Sequence, residues 1–272
     1  MLRQRRRKRL RAAPFPAAWR RLLETRWALY SCLSFQDREE LEGDVQVFLA
    51  EKKFEGCGGL EITDEIRVCI AAQACLLLLH RETDYYPNLH SVVVYPTGYF
   101  ARVTRHLGGG ILEEGVDARA GEAWPHGATV LAWDAVCYGN EHPYAGYNIV
   151  AHEFAHLLDF EDGHLDGAPP LGAKGSKALR NQRQAAWQHV LKAEYEQLRA
   201  KVERGENQPD AVLRDYAATN PAEFFAVATE CFFYQPRKLM RTHPELYQEL
   251  RKFFQQDPAL WSVTEEGGKP IA

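Results

Sequence analysis

The sequence lacks any hydrophobic run long enough to cross a membrane. The longest uninterrupted apolar stretch covers only residues 74–79, whereas a transmembrane helix needs about 20 apolar residues. The basic segment near the start is followed by AAPFPAAWRRLL instead of an apolar core, so it does not fit a secretory signal. The sequence therefore predicts a protein without a transmembrane segment.

Paired cysteines and a positive net charge are also missing. None of the six cysteines belongs to a CxxC pair, and their scatter is typical of reduced, packed thiols, so we expect a cytoplasmic protein. The formal net charge of −4 and a pI near 6.2 argue against direct nucleic-acid binding. The local exception is RQRRRKRLR at residues 3–11, which we expect to be a solvated, frayed terminus.

The rest of the chain has the composition of one globular unit, with no internal repeat and no linker. We expect residues 1–13 to be a disordered basic arm, residues 14–260 to form a single compact domain, and residues 261–272 to be a tail. Within the domain, a helical N-terminal part reaches to about residue 85. The part that carries the chemistry begins at about residue 90.

Hydrophobic periodicity predicts mostly helices. We expect them over residues 17–33, 37–54, 66–80, 147–160, 176–204, 215–236 and 245–256. β-branched and aromatic residues favour a strand over 91–101, with a turn at Pro96 and Gly98, and a second strand over 128–136. The glycine-rich segment between them is expected to form a hairpin or loop. The pattern predicts a mainly helical α+β fold with a small sheet in the middle of the chain.

The most informative string is YNIVAHEFAHLLDFEDGH at residues 147–164. His152 and His156 are four residues apart, so a helix presents both imidazoles on one face, where they can bind a tetrahedral zinc ion. Glu153 is poorly placed for the same ion but can take a proton from water at the metal. The alternative is a pair of ordinary helix histidines. The apolar surroundings, the preceding strand and the acidic residues downstream favour one Zn²⁺ per chain.

A catalytic zinc site needs a third protein ligand, and several residues compete for that role. Asp162 stands where HExxHxxGxxH/D enzymes carry their third ligand, but Asp159 replaces the glycine of that pattern, and His164 reaches the metal only if its loop folds back. Glu223 and Glu230 lie seven residues apart, on one face of a predicted helix. Glu223 also completes a capping box in TNPAE, so the residues alone leave these two close to even.

Three segments together resemble the Mlc titration factor A family of bacterial metallopeptidases. They are HEFAHLLD, DYAATNPAEFFAVATECFF and YQELRKFFQQDP, and the likeness extends from about residue 14 to about residue 258. The catalytic region of this family is similar to that of anthrax lethal factor. The resemblance implies a zincin-like fold in which a small mixed sheet lies beside the HExxH helix.

The resemblance also assigns roles at the site. It implies a gluzincin-like arrangement with His152, His156 and Glu223 as zinc ligands and Glu153 as the general base. Tyr216 would hydrogen-bond the oxyanion of the tetrahedral intermediate.

Glu230 and Asp159 would then lie behind the ligands and orient the histidines.

The family further implies aminopeptidase-like hydrolysis of peptides and binding of a transcriptional repressor of the Mlc type. Two alternatives stay open: a repressor-sequestering protein whose zinc is not catalytic, and a non-peptidase zinc amidohydrolase. The basic arm and the longer loop between His156 and Glu223 set this chain apart from enterobacterial members, which leaves the partner open.

Overall fold

The computed structural model describes residues 2–106, 112–119, 121–124, 127–171, 177–206 and 211–261. The helices of these ranges are α1 (Leu2–Arg11), α2 (Ala17–Arg26), α3 (Ala28–Cys32), α4 (Phe35–Glu51), α5 (Asp64–Leu76), α6 (Trp133–Glu141), α7 (Ile149–Asp159), α8 (Lys177–Glu203), α9 (Pro221–Tyr234), α10 (Pro236–Thr242) and α11 (Pro244–Phe254). Short 3-10 helices follow at Phe160–Asp162, Asp215–Ala218 and Pro258–Leu260.

The strands are β1 (Lys53–Gly56), β2 (Ser91–Tyr95), β3 (Tyr99–His106), β4 (Leu112–Arg119), β5 (Gly121–Trp124) and β6 (Ala128–Ala132). Four of them form a mixed sheet in the order β1-β2-β6-β5, in which β1, β2 and β6 are parallel and β5 is antiparallel to β6. Strands β3 and β4 pair with each other as a separate antiparallel ribbon. Strand β5 is at the edge of the mixed sheet and contacts α7, so the sheet lies beside the HExxH helix.

Several predicted elements have different limits in the structure, and the reason is clear for two of them. The predicted strand over 128–136 ends at Ala132, and Trp133 begins α6. The predicted helix over 17–33 is broken at Trp27, whose extended backbone (φ −140°) separates α2 from α3. Trp27 is almost completely buried, so packing of its indole in the core accounts for the break.

The basic arm is helical where we expected disorder. Helix α1 packs on α4, and Arg7 on the packed face donates to Glu51 at 2.8 Å and to Asp84 at 2.5 Å. Arg11, one turn later, lies 3.3 Å from Asp44. These carboxylates compensate the arginines of one face and order the segment. The expectation of a disordered arm is therefore wrong for residues 2–11.

One hydrophobic cluster joins the N-terminal helices to the C-terminal ones, running from Leu23 to Ala259. All six cysteines are free. No helix in the described ranges is long and apolar enough to span a bilayer. The tail expected at residues 261–272 falls, apart from Trp261, outside the described residues.

Candidate metal centre

Helix α7 presents the two histidines. Asn148 caps its first turn, because the Asn148 side-chain oxygen accepts from the backbone N–H of Ala151 at 2.8 Å. Phe154 and Leu158 are buried in the core and fix the rotation of the helix. His152 and His156 then point the same way, with their Nε2 atoms 3.3 Å apart.

Helix α9 brings a carboxylate to these imidazoles. Asn220 caps this helix by accepting from the backbone N–H of Glu223 at 2.9 Å, and Pro221 occupies the first turn. The Glu223 side chain turns toward α7, where its Oε2 lies 3.0 Å from His152 Nε2 and 3.5 Å from His156 Nε2.

The three atoms form a triangle that suits a zinc ion. Two atoms bound at about 2.1 Å with a tetrahedral angle lie about 3.4 Å apart, and the three separations here are 3.0, 3.3 and 3.5 Å. The Oε2 atom of Glu223 is buried against the two imidazoles. Within the described residues, His152, His156 and Glu223 form the group able to hold a metal ion, and two imidazoles with a carboxylate are ligands that zinc prefers.

Glu230 lies behind this group. Its side chain is fully buried, its Oε1 lies 2.8 Å from His152 Nδ1, and its Oε2 accepts from the backbone N–H of Asn148 at 2.6 Å. Arg214 donates to the same Oε1 at 2.5 Å. Glu230 therefore contacts the ring nitrogen of His152 that faces away from the cluster, an arrangement that orients metal-binding histidines.

The charges of the centre are coupled. Burial opposes a charge on His152, but hydrogen bonds to Glu223 and Glu230 raise the pKa of this imidazole to about 10. Burial likewise opposes a charge on Glu223, yet the imidazoles of His152 and His156 hold the pKa of this carboxyl well below its usual value. Without a metal, the two groups thus form an ion pair at neutral pH.

Glu153 and Tyr216 differ in their exposure. Glu153 is 4% exposed, and burial raises its pKa although the neighbouring imidazoles of His152 and His156 act in the opposite direction. Tyr216 is 51% exposed, with its ring centroid 6.1 Å from that of His152. Partial burial, followed by the charge of Glu223, raises the pKa of Tyr216 to about 12, so its hydroxyl keeps its proton.

The two aspartates after the motif do not belong to the three-residue group. Asp159 is buried, but its Oδ2 accepts from the backbone N–H of Gly167 at 2.9 Å. Asp162 is exposed and accepts from the backbone N–H of His164.

Gly167 in turn accepts from the Trp187 indole at 3.0 Å and leaves no room for a Cβ beside Pro221. Asp159 therefore fastens the loop between α7 and α8 onto the start of α9, and its role in orienting a histidine stays a prediction.

Sequence reasoning missed three residues of the surrounding network. Asn148 donates from its side chain to Gln73 at 2.7 Å and from its backbone to Glu230, and Arg214 completes the set. Asn148 could have been identified from the sequence, because asparagine is a common N-cap residue and lies four residues before His152. The contacts of Arg214 and Gln73 link distant parts of the chain and leave no local pattern.

Comparisons with known proteins identify the family to which this chain belongs. An uncharacterized protein of Synechocystis sp. is 41% identical over 256 residues, which are 94% of this chain and 90% of the relative. Proteins named Mlc titration factor A from Yersinia pestis and Yersinia pseudotuberculosis are each 29% identical over 231 residues, 85% of this chain and 82% of theirs. The model of the glucose-regulated metallo-peptidase M90 family matches residues 2–255. The chain therefore belongs to the M90 metallopeptidase family, and its zincin-like fold sets the small mixed sheet beside the helix of His152 and His156.

Proposed function

We propose that this protein is a zinc-dependent peptidase of the HExxH-plus-glutamate, gluzincin-like type, binding one Zn²⁺ through His152, His156 and Glu223. The observation that carries the proposal is the spacing of these three ligand atoms, 3.0–3.5 Å from one another. Membership of a metallopeptidase family supports the same reaction class.

When bound, the zinc supplies a Lewis acid that polarises the scissile carbonyl and makes water more acidic. Glu153 is the general base, whose carboxylate takes a proton from the attacking water and later delivers it to the leaving amine. Burial raises the pKa of Glu153, which makes the carboxylate a better proton acceptor. Tyr216, protonated at neutral pH, donates a hydrogen bond to the carbonyl oxygen as negative charge develops there.

The substrate class is a peptide, and the aminopeptidase-like preference rests on the family resemblance. An extended peptide can pair with a free strand edge. Strand β6, which begins the segment predicted as a strand over 128–136, has no free edge because it is paired on both sides, with β2 and β5. We assign the role to β5, which is at the edge of the sheet and contacts α7.

Glu153→Gln is the decisive variant. It keeps the size and burial of the side chain but removes the base, so turnover of aminoacyl and peptide substrates should fall about 10²–10⁴-fold. Zinc content, measured on the same samples, should stay at the wild-type level because Glu153 is not one of the three ligands. Unchanged turnover at full zinc content would mean that the zinc is not catalytic in this way.

A substrate panel separates the competing enzyme classes. Free aminoacyl chromogenic substrates, N-blocked peptides and formylated peptides should be tested side by side with zinc-loaded protein. An aminopeptidase prefers the first group. A preference for formylated substrates would favour the non-peptidase amidohydrolase alternative instead.

Binding of a transcriptional repressor is the second proposed role. The relatives at 29% identity are named Mlc titration factor A, and we propose a repressor of the Mlc type as a partner in the cytoplasm. Binding that is undiminished in Glu153→Gln and in the metal-free protein would support a role separate from catalysis. Abolition of binding by zinc removal alone would tie the two roles together.

A further inference from the structure

Arg214 lies directly before the 3-10 helix that carries Tyr216. Its Nη2 donates to Glu230 Oε1 at 2.5 Å, and the same oxygen lies 2.8 Å from His152 Nδ1. Its guanidinium carbon also lies 5.9 Å from the ring centroid of Tyr216 and 5.4 Å from that of Tyr147. Arg214 therefore contacts both Glu230, whose carboxylate touches the candidate ligand His152, and Tyr216, the candidate oxyanion donor.

The contact with Glu230 compensates a buried charge. Glu230 is 0% exposed, and it is contacted by the backbone N–H of Asn148, by His152 and by Arg214. Of these three, Arg214 carries a permanent charge. A metal at Nε2 of His152 would take the place of a proton there, which leaves Arg214 as the cation paired with the buried Glu230 carboxylate, whose Oε1 also faces His152 Nδ1.

The contact with the tyrosine restrains an exposed ring. Tyr216 is 51% exposed and belongs to a 3-10 helix of four residues, so solvent borders about half of its side chain. A guanidinium within about 6 Å of an aromatic centroid is attracted to the ring face. Arg214 is itself held in place, because it lies over Tyr147 and is anchored on Glu230.

We propose that Arg214 is a positioning residue of the metal centre. Through Glu230 it fixes the imidazole of His152, and through its planar group it orients the hydroxyl of Tyr216. The first part concerns metal binding alone, whereas the second part rests on the proposed function.

Two substitutions separate these parts. Arg214→Met removes the charge and should weaken zinc binding about 10–100-fold, the loss expected when a group that helps to orient a metal ligand is removed. It should also lower kcat with little change in KM. Arg214→Lys keeps a charge beside Glu230 but loses the planar group. It should recover most of the zinc affinity while kcat stays low.

Zinc affinity is measured by competition with a chromogenic chelator, which needs no activity. Arg81→Met is the matched control, because Arg81 also lies over an aromatic ring, 4.1 Å from the centroid of Phe253, outside the site. It should leave zinc affinity and kcat unchanged. Wild-type zinc affinity in Arg214→Met would overturn the proposal.

The coupling to Glu230 is tested in a Glu230→Gln background. If Arg214 acts on His152 through that carboxylate, Arg214→Met should weaken zinc binding no further there, and a full additional loss would refute the proposal. In a Tyr216→Phe background, the kcat effect of Arg214→Met should likewise shrink. If zinc-loaded wild type cleaves no peptide, the proposed function fails, but the chelator experiment still decides the metal-binding part.

Discussion

Two glutamates on one helix face take different roles at the site. Glu223 lies in the first turn of α9 with its carboxylate 3.0 Å from His152 Nε2, and Glu230, two turns later, reaches Nδ1 on the other side of the same ring. The residues alone could not separate them, because a spacing of seven puts both on one face. The direction in which α9 approaches α7 separates them, and that direction depends on packing across the whole core.

The two carboxylates should therefore differ in their effect on metal content. Glu230→Gln removes the charge behind His152 and should weaken zinc binding about 10–100-fold. Glu223→Ala removes a proposed ligand and should weaken binding more than that. Both are measured by zinc analysis after dialysis against a weak chelator. Full zinc retention in Glu223→Ala with loss in Glu230→Gln would reverse the assignment.

Other residues of the site could be predicted from the sequence to different degrees. The spacing of His152 and His156 predicted two imidazoles on one helix face, and their Nε2 atoms lie 3.3 Å apart. Arg214 left no such pattern, because its contacts to Gly146 and Glu230 bridge separate segments. Local periodicity encodes neighbours along a helix, but it does not encode which distant side chain neutralises a buried charge.

At the scale of the element, the start of α7 determines where the histidines lie. The Asn148 side chain accepts from Ala151 N–H and donates to Gln73, and both contacts are fully buried. Asn148→Ala removes the cap and leaves the Gln73 amide without this partner. We expect it to lower the free energy of unfolding of the metal-free protein by about 2–4 kcal/mol, measured by urea denaturation.

Ser34→Ala provides the matched control for this cap. Ser34 also caps a helix, accepting from the backbone N–H of Asp37 at 3.1 Å, but it is exposed. Removal of the Ser34 cap should lower the free energy of unfolding by about 0.5–2 kcal/mol and leave zinc affinity unchanged. Asn148→Ala, in contrast, should weaken zinc binding as well. Equal effects of the two substitutions on stability and metal binding would contradict a special role for Asn148.

Elements with a strong periodic pattern were predicted well from the sequence, and short ones were not. The expected helix over 147–160 is Ile149–Asp159, and that over 245–256 is Pro244–Phe254. Strand β1 escaped prediction because its four residues, KFEG, show no buried alternation. It exists because each residue pairs with β2, from Lys53 with Ser91 to Gly56 with Val94, and such pairing is set by tertiary structure.

For the whole molecule, the charges of the centre link folding to pH. In the metal-free chain, the pKa of His152 rises from 6.5 to about 10. Its stabilising contribution is therefore complete below about pH 6.5 and is lost as pH rises toward 10. The pKa of Glu223 is lowered, so its contribution is present above its unfolded value of 4.5 and is lost as pH falls. The metal-free fold should thus lose stability on both sides of neutrality.

Zinc should remove the alkaline part of this dependence, because a cation at Nε2 of His152 replaces the proton there. Between pH 7 and 9, the melting temperature of the metal-free protein should fall while that of the zinc-loaded protein stays nearly constant.

Zinc binding should also release about one proton, so the apparent affinity for zinc rises about tenfold per pH unit below the pKa of His152. Calorimetric titration at pH 7 in two buffers of different ionisation enthalpy counts that proton. A release near zero, with parallel melting curves for the two forms, would mean that His152 is already neutral in the metal-free fold and that its contacts with Glu223 and Glu230 are not ionic.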